Sequence, residues 1–192
     1  MCFHFKQSKN KEVFKAKGLE GHSVNGVYNG FSHPSINVVT QESPKELQHF
    51  RWGLIPSWAK DDNIKKYTLN ARHETLKTKP SFKNAKRCLI FADGFFEWKW
   101  LDKQGKKKQK YLIELPNSEL FSFAGLYDQW IDKQTGEIIN SCSIVTTEAK
   151  GVMREIHNSK MRMPMIIENN LMEDWLKNKD TNLFFDFKTS EV

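Results

Sequence analysis

The second residue of the sequence, Cys2, has a chemistry that depends on the fate of Met1. If Met1 is removed, Cys2 carries both a free α-amine and a thiol. Two other interpretations are open, half of a metal site or a small buried apolar residue. The sequence holds three cysteines without a CxxC pair, and its six histidines show no HxH or HxxxH spacing. We therefore expect no disulfide framework, no metal site and no cofactor.

Two titratable residues further along the chain are candidates for proton transfer. Glu97 lies between Phe96 and Trp98 in a stretch with strand character. A carboxyl group among aromatic rings has its pKa raised, which suits general acid or base catalysis, and the alternative is a surface glutamate beside Lys99. His157 follows a predicted helix, whose dipole can hold it protonated. The alternative for His157 is a capping or core histidine.

Several polar and aromatic residues are candidates for contacts with a nucleic acid. Asn70 and Arg72 share a face if their segment is extended, and an amide and a guanidinium together can hold a phosphate or a sugar oxygen. Trp52 and Trp58 can stack on bases or pack in the core. A run of lysines around Gln104-Gly105 is typical of a solvated hairpin tip.

The composition limits the class of protein. The chain has 192 residues and a formal net charge of +7, which favours an anionic partner or a basic surface without one. The N-terminus lacks the apolar region of a signal peptide, and no apolar run approaches the length of a membrane span. We expect a cytosolic protein without membrane association.

Short strand-like segments outnumber the helical ones. The pattern predicts strands at 36–40, 47–54, 87–92, 95–101, 110–115, 120–127, 141–146 and 165–167. It predicts helices or helical turns at 8–17, 61–67, 81–86, 148–156 and 170–177. Many sequence-adjacent strands with few helices indicate a single α+β domain over residues 1–192, with mixed and mostly antiparallel sheet. The core is expected over about 2–178, and the tail 179–192 can pack on it through Leu183, Phe184, Phe185 and Phe187.

Five segments in order resemble the SRAP family, the SOS-response-associated peptidases. They are Met1-Cys2 and residues 52–60, 70–75, 92–98 and 156–164. The resemblance implies a barrel-like core with short flanking helices. It also implies that the protein senses abasic sites in single-stranded DNA and forms a covalent crosslink through the N-terminal cysteine. The expected partner is single-stranded DNA with abasic sites, and the chain is expected to act as a monomer.

The resemblance assigns roles to individual residues. Cys2 is the nucleophile, after removal of Met1. Asn70, Glu97 and His157 complete the active site. The expected DNA contacts are Arg72, His4, Trp52, Trp58 and Arg162. The sequence departs from the family at Phe3-His4, where a glycine and an arginine are usual, so the cation that normally helps at the DNA backbone is missing.

Two other functions fit the same residues. Cys2 with His157 and Glu97 resembles the nucleophile, base and orienting group of a thiol peptidase, which can act once on its own N-terminus. The second is a non-catalytic single-strand binder, which relies on charge and aromatic rings alone.

Overall fold

The computed structural model of the chain describes residues 1–179 and 186–192. Over these residues the chain forms thirteen strands and three short α-helices. The strands β1–β13 are His4–Gln7, Gly26–Asn29, Ser35–Thr40, Gln48–Trp52, Asn70–Arg72, Lys86–Ala92, Gly94–Trp100, Lys108–Glu114, Phe121–Ile131, Ile138–Glu148, Arg162–Pro164, Ile166–Ile167 and Lys188–Glu191. The helices α1–α3 are Lys11–Ala16, Met153–Ile156 and Met172–Leu176.

Five of the strands close into a barrel. β9 pairs with both β10 and β6, β6 pairs with β3, β3 with β4, and β4 with β10. The β4–β10 contact is parallel, and the other four contacts are antiparallel. Closure leaves no unpaired edge in this ring. The predicted α+β class with a mostly antiparallel, barrel-like core is confirmed.

The barrel strands are apolar on both faces, and this decides what packs inside and outside the ring. In β6, Cys88 and Ile90 belong to one buried cluster, whereas Leu89 and Phe91 belong to another. Alternate residues of a strand point to opposite faces, so the first cluster lies inside and the second outside. The outer cluster is covered by α1 and α3, whose Phe14 and Trp175 are fully buried.

A second sheet of five strands, in the order β13-β8-β7-β1-β2, lies against the barrel. Phe5 of β1 and Phe95 of β7 are fully buried in the inner cluster together with Phe123 of β9. Their rings lie 5.6 and 5.9 Å from the Phe123 ring, in edge-to-face contact. β1 lies between the middle strand β7 and the edge strand β2, so the N-terminus of the chain is held in the protein body.

Most of the predicted strands are confirmed, with boundaries shifted by a few residues. The prediction of a helix over 148–156 is wrong at its start, because β10 continues to Glu148 and α2 covers only Met153–Ile156. Residues 81–85 form turns without a helix. The short strands β1, β2, β5, β11 and β13 are missing from the sequence prediction, because three or four residues carry no readable periodicity. No helix in the described part of the chain is long and apolar enough to cross a membrane.

The C-terminal tail is described from residue 186 onward. The Phe187 ring lies 6.0 Å from that of Phe95, and β13 pairs antiparallel with β8. This part of the predicted packing is confirmed. Leu183, Phe184 and Phe185 lie outside the described residues. The division into a core ending near 178 and a tail stays a prediction.

Gly125 leaves no room for a side chain beside Cys88 and Ile90 of β6, and its replacement tests the packing. A Cβ at this position would lie 2.7 Å from the Cys88 sulfur and 2.9 Å from the Ile90 Cδ1 atom. We expect Gly125→Ala to lower the free energy of unfolding by about 1–3 kcal/mol, as measured by urea denaturation. Cys88→Ala should cost less in the Gly125→Ala background than alone, because it removes one of the two clashing atoms. Equal costs in both backgrounds would contradict this packing.

Candidate active site at the N-terminus

The N-terminal amine of the chain lies in a partly buried pocket between a carboxylate and an imidazole. The Met1 nitrogen is 3.3 Å from the Glu97 Oε1 atom. It is 3.1 and 3.2 Å from the Nδ1 and Nε2 atoms of His157. The His157 Nε2 and Glu97 Oε2 atoms are 3.7 Å apart. Three groups that can exchange protons therefore meet at the start of the chain.

Different elements bring these groups together. β1 pairs antiparallel with β7, with His4 opposite Phe96, so the residues before β1 run alongside Glu97. Glu97 is on the same face of β7 as the buried Phe95, which directs the carboxyl toward the protein interior. His157 ends the short helix α2, just before the loop that leads into β11.

The Glu97 carboxyl is partly protonated near neutral pH, because its pKa is raised. Its side chain is almost completely buried. Burial raises the pKa of the Glu97 carboxyl to about 7, although the adjacent N-terminal amine opposes the rise. This is the condition that the aromatic neighbours of Glu97 predicted. A carboxyl group with such a pKa can both give and accept a proton at physiological pH.

His157 is neutral, and its hydrogen bonds fix its orientation. Its Nδ1 atom lies 2.6 Å from the Arg162 carbonyl oxygen, which can only accept, so we assign the proton to Nδ1. The Arg162 amide is 3.3 Å from the same atom, a longer and weaker contact. Nε2, 3.2 Å from the amine, is then the ring nitrogen that can accept a proton. Burial lowers the pKa of the imidazole to about 4, so the protonated form predicted from the helix dipole is wrong. Helix α2 has only four residues, too few to outweigh the desolvation.

The Cys2 thiol is buried and its backbone is clamped. The Sγ atom donates to the carbonyl oxygen of His4 at 3.6 Å, and burial raises the pKa of the thiol well above its usual range. The Asn70 amide donates to the Cys2 carbonyl oxygen at 2.9 Å. The other amide atom, Asn70 Oδ1, is buried and has no hydrogen-bond partner among the described residues. Asn70 therefore fixes the backbone of Cys2 and keeps one acceptor free.

The segment that carries His157 is tied down at both ends. The Arg162 guanidinium makes a two-point contact with the Glu74 carboxylate at 2.8 and 3.0 Å. The Asn158 side chain bridges the backbone of Trp100, accepting from its N–H at 3.0 Å and donating to its carbonyl at 2.9 Å. Sequence reasoning missed Glu74 and Asn158. Glu74 lay in a family-like segment, whereas nothing in the sequence linked Asn158 to the end of β7.

The predicted DNA-contact residues fall into two groups. Arg72 is exposed on the same face of β5 as Asn70, and Trp58 keeps 54% of its surface exposed. Trp52 is fully buried and donates its indole N–H to the Leu69 carbonyl, so the prediction that it can stack on a base is wrong for this conformation. The remaining two candidates are already engaged with the protein.

Neither His4 nor Arg162 presents a free positive charge to a DNA strand. Burial lowers the pKa of His4, so its ring is neutral and cannot replace the missing cation. The Arg162 guanidinium is occupied by Glu74 and by the Thr146 carbonyl oxygen at 2.7 Å. Within the described residues, no group of three or more His, Cys, Asp or Glu side chains could hold a metal ion.

The sequence matches the family described as SOS response associated peptidase (SRAP) over residues 1–186. A relative in Bacillus subtilis (strain 168), named abasic site processing protein YoqW, is 42% identical over 165 residues, which cover 80% of this chain and 71% of the relative. The abasic site processing protein HMCES of Gallus gallus is 33% identical over 171 residues. That match covers 76% of this chain and 49% of the avian protein.

Solved structures share the fold. The crystal structure of a Bacteroides thetaiotaomicron protein superimposes with a TM-score of 0.87 at 32% identity, and covers 100% of this chain and 92% of its own. A Bordetella bronchiseptica protein superimposes with a TM-score of 0.84 at 21% identity, a likeness that concerns the fold alone.

The raised pKa of Glu97 makes stability depend on pH. In the unfolded chain this carboxyl titrates near 4.5, and in the folded protein near 7, so its contribution to stability falls between about pH 4.5 and pH 7 and stays low above pH 7. Glu97→Gln removes the titrating group. We therefore expect the free energy of unfolding of the variant, minus that of wild type, to be roughly 2–3 kcal/mol larger at pH 8 than at pH 4. Urea denaturation of both proteins at the two pH values measures it. A gain that does not vary with pH would contradict the raised pKa.

Proposed function

Because this chain belongs to the SRAP family, we propose that it processes abasic sites in single-stranded DNA through a covalent bond to Cys2. The observation that carries the proposal is the buried pocket in which the N-terminal amine meets Glu97 and His157. The names of the relatives, abasic site processing proteins, point to the same class of substrate.

Met1 must be absent for the reaction, because only then is the Cys2 nitrogen a free amine. Asn70 donates a hydrogen bond to the Cys2 carbonyl and so fixes the backbone of this residue. The Cys2 amine that Met1 removal creates therefore lies one residue away from the position of the Met1 amine. Burial lowers the pKa of the Met1 amine, and a Cys2 amine in the same surroundings has the same tendency. An α-amine with a pKa of about 8 or less has a substantial neutral fraction at pH 7, whereas a lysine has almost none.

The amine attacks the aldehyde of the ring-opened sugar and forms a C–N bond. Loss of water from the resulting carbinolamine gives an imine, with one proton leaving nitrogen and one reaching the departing oxygen. The Cys2 thiol then adds to the imine carbon, and its proton goes to the nitrogen. The product is a five-membered thiazolidine ring. Ring closure is intramolecular, and such reactions reach effective molarities of about 10⁵–10⁸ M.

Glu97 is the group that moves these protons. Its pKa of about 7 lets it protonate the departing hydroxyl and afterwards accept the thiol proton. His157 presents a neutral Nε2 acceptor and can assist opening of the closed sugar. The free Asn70 Oδ1 atom can accept a hydrogen bond from a sugar hydroxyl. Arg72 and Trp58, both exposed, are the candidates for phosphate and base contacts.

The geometry counts against a thiol peptidase. A catalytic cysteine of that type needs a lowered thiol pKa and a histidine within hydrogen-bond reach. Here burial raises the thiol pKa, and the Sγ atom contacts the His4 carbonyl rather than His157. The imidazole faces the amine instead, which favours chemistry that begins at nitrogen.

A denaturing gel tests the covalent reaction. We expect protein lacking Met1 to form a band of reduced mobility with single-stranded DNA that carries one abasic site, because the ring survives denaturation. Cys2→Ala keeps the amine but cannot close the ring, so its adduct should appear only after trapping with cyanoborohydride. Cys142→Ala, which removes a buried thiol outside the pocket, should crosslink like wild type.

Two controls sharpen this test. Insertion of a lysine between Met1 and Cys2 prevents Met1 removal and should abolish the band, because the Cys2 nitrogen stays in a peptide bond. DNA without an abasic site should give no band. Absence of a band with fully processed wild type would overturn the proposed function.

The pH dependence of the crosslinking rate tests the role of Glu97. If the protonated carboxyl gives its proton during loss of water, the wild-type rate should fall above a pH of about 7. Glu97→Gln should lose this alkaline limb and react about 10²–10⁴-fold more slowly. Single-turnover rates from pH 5 to 9 measure both effects. An alkaline limb that persists in Glu97→Gln would assign it to another group.

A further inference from the structure

A row of aromatic rings crosses the protein surface beside Cys2, and the catalytic pocket does not use it. Phe3 stacks on Phe31, with ring centroids 4.9 Å apart and planes inclined by 26°. The His4 ring lies 6.5 Å from Phe31 and 5.1 Å from Trp98, edge-on to both. We call Phe3, Phe31, His4 and Trp98 the aromatic row.

Phe31, the exposed member of the row, is held in place by the hydrogen bonds of its backbone segment. Phe31 keeps 63% of its surface exposed, although it is a large apolar residue. It lies in the 3-10 helix Gly30–Ser32, whose Phe31 amide donates to the Asn29 side chain at 3.0 Å. The Gly30 amide donates to the Phe3 carbonyl at 2.8 Å, and this ties the helix to the N-terminal segment. The ring is thus preorganised for contact with a ligand.

The absence of a side chain at Gly30 lets this 3-10 helix pack closely against the ring of Trp52. A Cβ at Gly30 would lie 3.1 Å from the buried Trp52 ring. Without a side chain, the helix packs directly on Trp52, and Phe31 points outward. The buried Trp52 therefore supports the surface that presents Phe31.

A positive charge lies at the far end of the row. The Lys110 ammonium is 4.2 Å from the centre of the Phe96 ring and 5.9 Å from that of Trp98. It makes no ion pair with the residues that the structure describes. His4 lies between this cation and Phe31 but is neutral, because burial and Lys110 both lower its pKa. The surface combines flat apolar faces with one available cation, as in sites that bind single-stranded nucleic acids.

We propose that the aromatic row binds the nucleotide next to the abasic site, with its base stacked on the exposed face of Phe31 and its phosphate near Lys110. The inference rests on the proposed function and adds a subsite to it. Phe3 follows Cys2 directly, and consecutive Cα atoms are about 3.8 Å apart, so the stacked pair of Phe3 and Phe31 lies within reach of a strand bound at Cys2. Phe3 and His4 present aromatic rings without a positive charge directly after Cys2.

Crosslinking kinetics with modified DNA tests the row. The substrate is a single-stranded oligonucleotide with one abasic site, compared with versions in which the 5′ or 3′ neighbour is a tetrahydrofuran spacer that has neither base nor aldehyde. The measured quantity is the protein concentration that gives half-maximal crosslinking rate. Removal of one of the two neighbouring bases should raise this concentration about tenfold for wild type, since stacking contributes about 1–3 kcal/mol per base.

Variants identify Phe31 as the stacking partner. Phe31→Ala should already need about tenfold more protein with the unmodified neighbours, and the spacer should cause no further rise. Phe31→Trp should restore the dependence on the neighbouring base. Ile138→Ala removes an apolar side chain of similar exposure, 57%, on the β9–β10 hairpin, and should behave like wild type.

The outcomes separate this inference from the proposed function. If wild type crosslinks but Phe31→Ala responds to the spacer as strongly as wild type, the row is not the subsite and the proposed function stands. If wild type crosslinks none of the substrates, the proposed function fails. Fluorescence anisotropy with the same oligonucleotides then tests the row directly, and equal affinities of wild type and Phe31→Ala would overturn it.

Discussion

The pairing of the first strand with the middle of a sheet is the constraint on which the rest of the site depends. β1 is held between β2 and β7, so the residues before it cannot fray as chain ends commonly do. The antiparallel register with β7 brings the N-terminal amine to Glu97, and the Asn70 amide fixes the carbonyl of Cys2. A free amine, ordinarily mobile and solvated, is thereby placed in a partly buried pocket beside two proton-carrying groups.

Burial in this pocket acts in opposite directions on its members, and this sets their chemistry. It raises the pKa of the Glu97 carboxyl to about 7 and lowers that of the His157 imidazole to about 4, because in each case the charged form loses its hydration. The same effect keeps the Cys2 thiol protonated and favours the neutral amine. A neutral amine and a protonated thiol are the states that the proposed reaction requires at its first step.

The surface around the pocket shows how one departure in sequence is accommodated. The side chains at Phe3 and His4 supply no charge, and the Arg162 guanidinium is engaged by Glu74. Arg72 stays exposed on the face of β5 that also carries Asn70. The surface next to Cys2 therefore presents aromatic rings and no cation from Phe3 or His4. Arg162 instead holds His157 through its carbonyl oxygen and is itself fixed by a carboxylate from the segment after β5.

The sequence by itself determined the fold class, the long barrel strands and the identity of the candidate reactive residues. Alternating or continuous apolar runs such as those of β6 and β9 are local signals, and the five family-like segments named Cys2, Asn70, Glu97 and His157. The roles of these residues stay predictions. The side chains that surround these residues could not be predicted from the sequence, because contacts such as that of Asn158 with Trp100 join positions far apart in the chain. Only the tertiary structure decided which groups lose water. Burial makes the His157 imidazole neutral and encloses Trp52 in the core, whereas Phe31 stays exposed. The sequence could not give this, because the desolvation of a residue depends on everything packed around it and not only on its neighbours in the chain.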